Sequence, residues 1–183
     1  HRKATLQAAQ MAGRHVFKTV EEPIAAATAF GAQKFEGHRQ FLVFDFGGGT
    51  FDATVIEQRG PFLTVLASGG DTCLGGCDFD DALAHLAAGK IFRHERYDVS
   101  RNAVEWALVE QRAEDVKRAL SNKESARFIT ADILTQRELQ TMDLRVTRDE
   151  AEARFRPLVD RALKRTAEIM VDARVSPADL AGT

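Results

Sequence analysis

The chain has 183 residues, is 44% hydrophobic and 28% charged, and carries a formal net charge of -2. This composition suits one globular domain, or two small subdomains, with a real core. The near-neutral charge argues against nucleic acid or an anionic membrane as partner. No apolar run approaches the ~18 residues a membrane span needs, and no charged-then-apolar leader is present.

In chain order, residues 2–12 are rich in Ala, Gln and Leu and are followed by Gly13, which predicts a helix with a glycine stop. Because this pattern starts at once after His1, the chain is expected to be a segment of a longer one. His15 to Val20 reads as a short strand. Glu21-Glu22-Pro23 opens an alanine-rich helix from Ile24 to Phe30, with proline in the first turn and Gly31 as its end.

A polar linker, Gln33 to Arg39, precedes three strands: Phe41 to Phe46, Phe51 to Glu57 and Phe62 to Ser68. Their connections, Gly47-Gly48-Gly49 and Arg59-Gly60-Pro61, are short enough to demand antiparallel neighbours. Asp78 is expected to cap a helix reaching about His94, with Asp80 and Asp81 favouring the dipole of its first turn. A second helix is expected from about Asn102 to Leu120. Arg127 to Ala131 and Met142 to Val146 read as a hairpin, with an ambiguous segment between them. Thr147-Arg148-Asp149-Glu150 is a capping box that starts a long helix. Pro157 is expected to kink it, and Ser176-Pro177 to end the pattern.

The residues with the clearest chemistry are Phe44-Asp45-Phe46-Gly47-Gly48-Gly49-Thr50-Phe51-Asp52. An aspartate ends a strand, three glycines turn the chain and a threonine follows. Glycines let backbone N–H groups approach a phosphate, and Thr50 adds a hydroxyl. Asp45 is placed to hold a hydrated magnesium ion. The alternative is a glycine-rich hairpin with an edge aspartate, at a high cost in backbone entropy. Asp45-Phe46-Gly47 spells a kinase metal triplet, but the other kinase motifs are missing. A dinucleotide fingerprint fails because a strand, not a helix, follows the glycines.

A second glycine segment, Gly69-Gly70-Asp71-Thr72-Cys73-Leu74-Gly75-Gly76, lies directly before a helix and suits an anion site, although glycine pairs are common loop chemistry. Cys73 and Cys77 lack the further ligands of a metal site and read as two free thiols. Glu114, Lys117, Arg118 and Ser121 share one helix face. Such a face suits a nucleoside, with ribose bonds from Glu114 and Lys117, stacking by Arg118 and a ring-nitrogen bond from Ser121. On spacing alone it reads as a solvated polar face with an i,i+3 ion pair. Glu22 beside Pro23 reads as a dipole-favouring residue.

Together these segments resemble the DnaK-type heat-shock chaperones. The resemblance runs through Arg2-Lys3-Ala4-Thr5, Ala12-Gly13, Glu22-Pro23 with Ala25-Ala26-Ala27, and Phe44 to Asp52. It continues through Gly69-Gly70-Asp71-Thr72, Leu74-Gly75-Gly76, Asp78-Phe79-Asp80, Lys117-Arg118-Ala119-Leu120-Ser121 and Val146-Thr147-Arg148. It implies an α/β fold: the second lobe of an actin-like, ribonuclease-H-like ATPase domain, with a mixed sheet flanked by helices and an α+β upper subdomain. Residues 1–31 would be the tail of the first lobe, 32–74 and 147–183 the base of the second, and 75–146 the upper subdomain.

By the same resemblance, Asp45 and Glu22 help hold Mg2+ through water, and Asp52 matches a K+ ligand. Gly47, Gly48, Gly49 and Thr50 cradle the terminal phosphates of ATP or ADP. Gly75 and Gly76 approach the nucleotide near its ribose, and Glu114, Lys117, Arg118 and Ser121 form the adenosine pocket. Phosphoryl transfer of this kind is mostly positioning, with Asp45, Glu22 and Thr50 nearest the reaction. The implied function is a cytoplasmic chaperone ATPase that couples turnover to binding and release of unfolded polypeptide. Its implied partners are a J-domain co-chaperone and a nucleotide exchange factor on the upper subdomain.

Phe46, Cys73 and Cys77 depart from the family's usual residues, and Ala126 to Val146 is less familiar. The family's first phosphate loop, last glycine-rich loop and peptide-binding domain would lie outside this sequence. The chain by itself is therefore expected to hydrolyse ATP poorly, with residues 1–31 disordered, repacked or exchanged with a neighbouring chain. The alternatives are another actin-like ATPase, such as a sugar kinase, and a non-enzymatic chaperone-like partner.

Overall fold

The structure, a computed structural model, describes residues 2–31, 37–134 and 141–182. Its helices and strands are α1 (Arg2–Met11), α2 (Glu22–Ala29), β1 (His38–Phe46), β2 (Phe51–Arg59), β3 (Phe62–Asp71) and α3 (Gly76–Glu95). They continue with α4 (Ala103–Leu120), β4 (Ser125–Ile129), β5 (Asp143–Thr147), α5 (Arg148–Ala173) and β6 (Leu180–Gly182). The chain divides into two compact units: His1–Phe44, Ala53–Ser68 and Ile169–Thr183 form one, and Asp45–Asp52 with Gly69–Glu168 form the other.

The first unit is built on a mixed sheet of strand order β3-β2-β1-β6. β2 is buried at Ala53, Thr54, Val55, Ile56 and Gln58, as expected of a strand covered on both faces. Its polar members are bonded: the Thr54 hydroxyl meets that of Ser68 at 2.8 Å, and the Gln58 amide donates to the Gly60 carbonyl at 3.0 Å. β3, at the sheet edge, alternates in exposure, with Phe62, Thr64 and Leu66 more exposed than their neighbours. α2 lays Ala27 and Ile24 on Ile56, Phe41, Val43 and Leu63. α1 buries none of its residues fully, and Arg2 at its start donates to the Thr19 hydroxyl at 3.0 Å.

The second unit has the larger core. Leu83, Ala87 and Ile91 of α3 pack with Val109, Ala113 and Val116 of α4, Phe128 of β4, Val146 of β5 and Ala151 of α5. β4 and β5 are antiparallel, with Ser125 opposite Thr147 and Ile129 opposite Asp143. Asn102 caps α4, its side-chain oxygen accepting from the N–H groups of Val104 and Glu105. The Thr147–Glu150 capping box is formed, at 3.0 and 3.2 Å.

Several expectations are corrected. His15 to Val20 is not a strand; no neighbouring strand pairs with it among the described residues. α3 begins at Gly76, before Asp78, whose carboxylate instead accepts from the Gly75 N–H at 2.7 Å. Pro157 lies inside α5, as read from the sequence. β4 begins before Arg127 and ends before Ala131. β6, unread in the sequence, pairs in parallel with β1. Residues 33–36 of the expected linker and 135–140 of the ambiguous segment lie outside the described residues.

Candidate functional site: a glycine cradle beside two helices

The triple-glycine bend, the second glycine segment, α3 and α4 all belong to the second unit. The Gly47 N–H donates to the Thr50 carbonyl at 2.9 Å and closes the bend. The start of α3 is laced to that bend: the N–H groups of Gly76 and Cys77 donate to the carbonyls of Gly47 and Gly48 at 2.9 and 2.7 Å. Behind it, Phe46 sits in a run of rings, 5.4 Å from Phe51 and 5.5 Å from Phe79, with Phe79 4.9 Å from Phe155. Those aromatic contacts fix the strand end that carries Asp45 to α3 and α5.

The glycines differ in what requires them. A Cβ on Gly75 would lie 2.5 Å from Gly49 N, and one on Gly70 would lie 2.1 Å from the Phe51 carbonyl oxygen. Protein atoms fill both places. A Cβ on Gly48 or Gly49 would meet nothing within 4 Å. Both residues are exposed, and their N–H groups donate to no acceptor among the described residues. No packing requirement explains these two glycines, and two unused donors sit beside open space.

The side chains of Asp45, Thr50 and Asp52 are exposed and make no hydrogen bond or ion pair among the described residues. The second glycine segment is held from α5. Arg161 donates to both Asp71 oxygens at 2.6 and 2.7 Å, and Arg165 donates to the Gly70 carbonyl at 3.2 Å. The Arg161 guanidinium, helped by the Cys73 N–H, holds the Asp71 carboxyl below its usual range. The N–H groups of Gly75, Gly76, Cys77 and Asp78 are all used within the protein. The backbone N–H groups of Gly75 and Gly76 are therefore not free for a ligand, which revises the anion site expected at this helix start.

On α4, Lys117 donates to the Gly76 carbonyl and to Asp80, each at 2.8 Å. Its partner is therefore on α3. The ion pair within α4 runs from Arg118 to Glu114 at i,i+4 and 2.6 Å, not from Glu114 to Lys117. Arg118 and Glu114 are 73% and 45% exposed, so their ends are accessible to a ligand. Ser121 is the C-cap of α4, and Arg148 donates to the Leu120 carbonyl at 3.2 and 3.0 Å, satisfying that helix end. The helix face is thereby joined to the cradle through Lys117 and Gly76. Glu22 opens α2 in the other unit.

The sequence presents Asp80 as a dipole-favouring residue and as part of the Asp78-Phe79-Asp80 resemblance, without a partner, and it gives no role to Arg161 or Arg165. The available signal for Asp80 was its i,i+4 spacing from Gly76, which puts the two on one helix face. Nothing local signalled Arg161, whose partner is 90 residues away. Cys73 and Cys77 are exposed free thiols.

The sequence of this chain matches the family model described as Hsp70 protein over residues 1–182. The chain belongs to the Hsp70 family. Among curated Hsp70 relatives, it is 36% identical to a chaperone protein DnaK of Cenarchaeum symbiosum (strain A), over 98% of the chain and 28% of the relative. It is 33% identical to a chaperone protein DnaK of Nitrosopumilus maritimus (strain SCM1), with the same two coverages. A third, from Mycoplasma mobile, is 34% identical over 98% of the chain and 30% of the relative. This Hsp70 chain thus spans less than a third of the length of the relatives it matches. Its mixed sheet flanked by helices is consistent with the family's actin-like ATPase fold.

Proposed function

We propose that this chain supplies the second lobe of the ATP-binding, ATP-hydrolysing domain of a cytoplasmic DnaK-type chaperone, in which nucleotide turnover drives binding and release of unfolded polypeptide. One observation carries the reading: among the described residues, Gly48 and Gly49 leave a space that no protein atom fills and have two N–H donors without acceptors. A phosphate chain suits that space, because backbone donors and missing side chains are what close approach to phosphate needs.

Thr50 adds a hydroxyl to the cradle. Gly75 and Gly76 flank it near the ribose, and Glu114, Lys117, Arg118 and Ser121 receive the nucleoside. Among the described residues no group of three or more His, Cys, Asp or Glu could hold a metal ion. In this reading Mg2+ would arrive with the nucleotide, held mainly by water and phosphate oxygens, with Asp45 and, by the resemblance, Glu22 as its partners through water. Bound there, Mg2+ would neutralise phosphate charge. Asp45 orients the attacking water, and Asp52 serves a K+ ion.

Residues 1–31 belong in this reading to the end of the first lobe, 32–74 and 147–183 to the base of the second, and 75–146 to the upper subdomain. The separate core of α3, α4, β4 and β5 supports that last assignment. Its partners are a J-domain co-chaperone and, on the upper subdomain, a nucleotide exchange factor. No helix among the described residues is long and apolar enough to cross a membrane.

Calorimetry of the full-length protein tests the reading. Magnesium-dependent ATP binding, and ATPase activity that rises with an unfolded peptide and is lost in Asp45→Asn, are expected. Binding without turnover would favour a non-enzymatic partner. Phosphorylation of a sugar, with no response to peptide, would favour a sugar kinase.

A further inference from the structure

Lys117 is the one side chain of the α4 face that is tied to the cradle. Two of the three donors of its ammonium are used: one on the Gly76 carbonyl and one on Asp80 Oδ2, both at 2.8 Å. Gly76 and Asp80 are one helical turn apart on α3, so the ammonium is gripped from two levels of the same helix. The ammonium lies close over this turn: a Cβ on Gly76 would sit 3.4 Å from Lys117 Nζ, in ordinary van der Waals contact. Asp80 is mostly covered, at 15% side-chain exposure, and its second oxygen, Oδ1, is buried with no hydrogen-bond partner. A carboxylate so placed contributes through Lys117, and its geometry leaves the ammonium a single donor.

We infer that Asp80 is a positioning residue for sugar recognition: by holding Lys117 against Gly76 it aims the remaining N–H at one ribose hydroxyl, and this sets the preference for ribonucleotides over deoxyribonucleotides. The inference rests on the nucleotide-site reading above and adds to it the residue that makes Lys117 selective. A lysine free to rotate keeps its charge but holds no donor in a fixed direction, and it loses rotamer entropy when it binds. It would attract any nucleotide without reading the sugar. The Gly76 N–H also bonds the Gly47 carbonyl, so the same turn that grips Lys117 is fastened to the phosphate cradle.

The test compares ATP, 2′-deoxy-ATP and 3′-deoxy-ATP binding to the full-length protein, wild type and variant. A charge-assisted hydrogen bond is worth about tenfold or more in affinity. The wild type is expected to bind one of the two deoxy analogues about tenfold more weakly than ATP. In Asp80→Asn and Asp80→Ala, ATP should fall to within about threefold of that analogue, while the analogue itself shifts less than about twofold. Lys117→Met, which leaves Asp80 in place, should erase the same ratio, and Asp80→Asn added to it should do nothing more. Thermal unfolding of each variant separates this from lost structure.

A ratio that persists in both Asp80 variants, or in Lys117→Met, overturns the inference. So does a wild type that binds ATP and both analogues alike, which leaves the nucleotide site itself standing. A wild type that binds no ATP overturns both.

Discussion

The two glycine-rich stretches of the second unit look alike in the sequence and are required for different reasons. In the segment Gly69–Gly76, Gly70 and Gly75 are small because neighbouring backbone occupies the place of a Cβ, at 2.1 and 2.5 Å. In the bend Gly47–Thr50, Gly48 and Gly49 face open space. The first stretch is a packing requirement that is met inside the chain. The second has no such packing requirement within the described residues, and the proposed nucleotide accounts for it. None of these four glycines has a positive φ, so left-handed backbone accounts for neither set. Residues with that backbone lie elsewhere, and two of them, Arg96 and Arg174, are not glycine.

Substitutions can break this contrast. The largest effect is expected at Gly70, where alanine forces the β2 backbone to move and costs on the order of 3 kcal/mol in denaturant unfolding. Gly75→Ala should follow closely. Gly48→Ala should leave unfolding within about 0.5 kcal/mol of wild type and still weaken ATP binding about tenfold, the worth of one charge-assisted bond. A large stability loss at Gly48 would erase the distinction.

Smaller in size is Arg96→Gly, at the left-handed residue that ends α3. Relief of a strained φ should stabilise the chain by about 0.5 kcal/mol, net of the extra freedom glycine gives the unfolded chain. The smallest effect concerns the Arg161–Asp71 clamp, which is solvent-screened. Because Arg161 lowers the Asp71 pKa in the folded state, the clamp contributes above the unfolded carboxylate pKa and is lost as pH falls through the folded one. Unfolding followed against pH should show a shallower acid limb in Asp71→Asn.

Much of this was legible locally. The triple glycine after Asp45, the capping box at Thr147 and the periodicity of α3 to α5 each involve residues within a few positions of one another. Their chemistry reads directly from the order of residues. His15 to Val20 has strand composition but no strand beside it among the described residues, whereas Leu180–Gly182 has almost no signal and becomes a strand because β1 offers an edge. Strand formation is a property of pairs.

The α4 face shows the same limit at the site. Four residues on one side of a helix were readable from spacing, and Glu114 was assigned the wrong cation because both Lys117 and Arg118 lie within reach. Lys117 was decided by Gly76 and Asp80, 41 and 37 residues away.

Sequence alone determined the fold class, the family resemblance and the candidate phosphate-binding residues, because propensity, periodicity and motif act over short stretches of chain. Tertiary structure decided which glycines are filled and which stand open, and which carboxylate holds Lys117. Those depend on atoms that only folding brings within hydrogen-bond or van der Waals range.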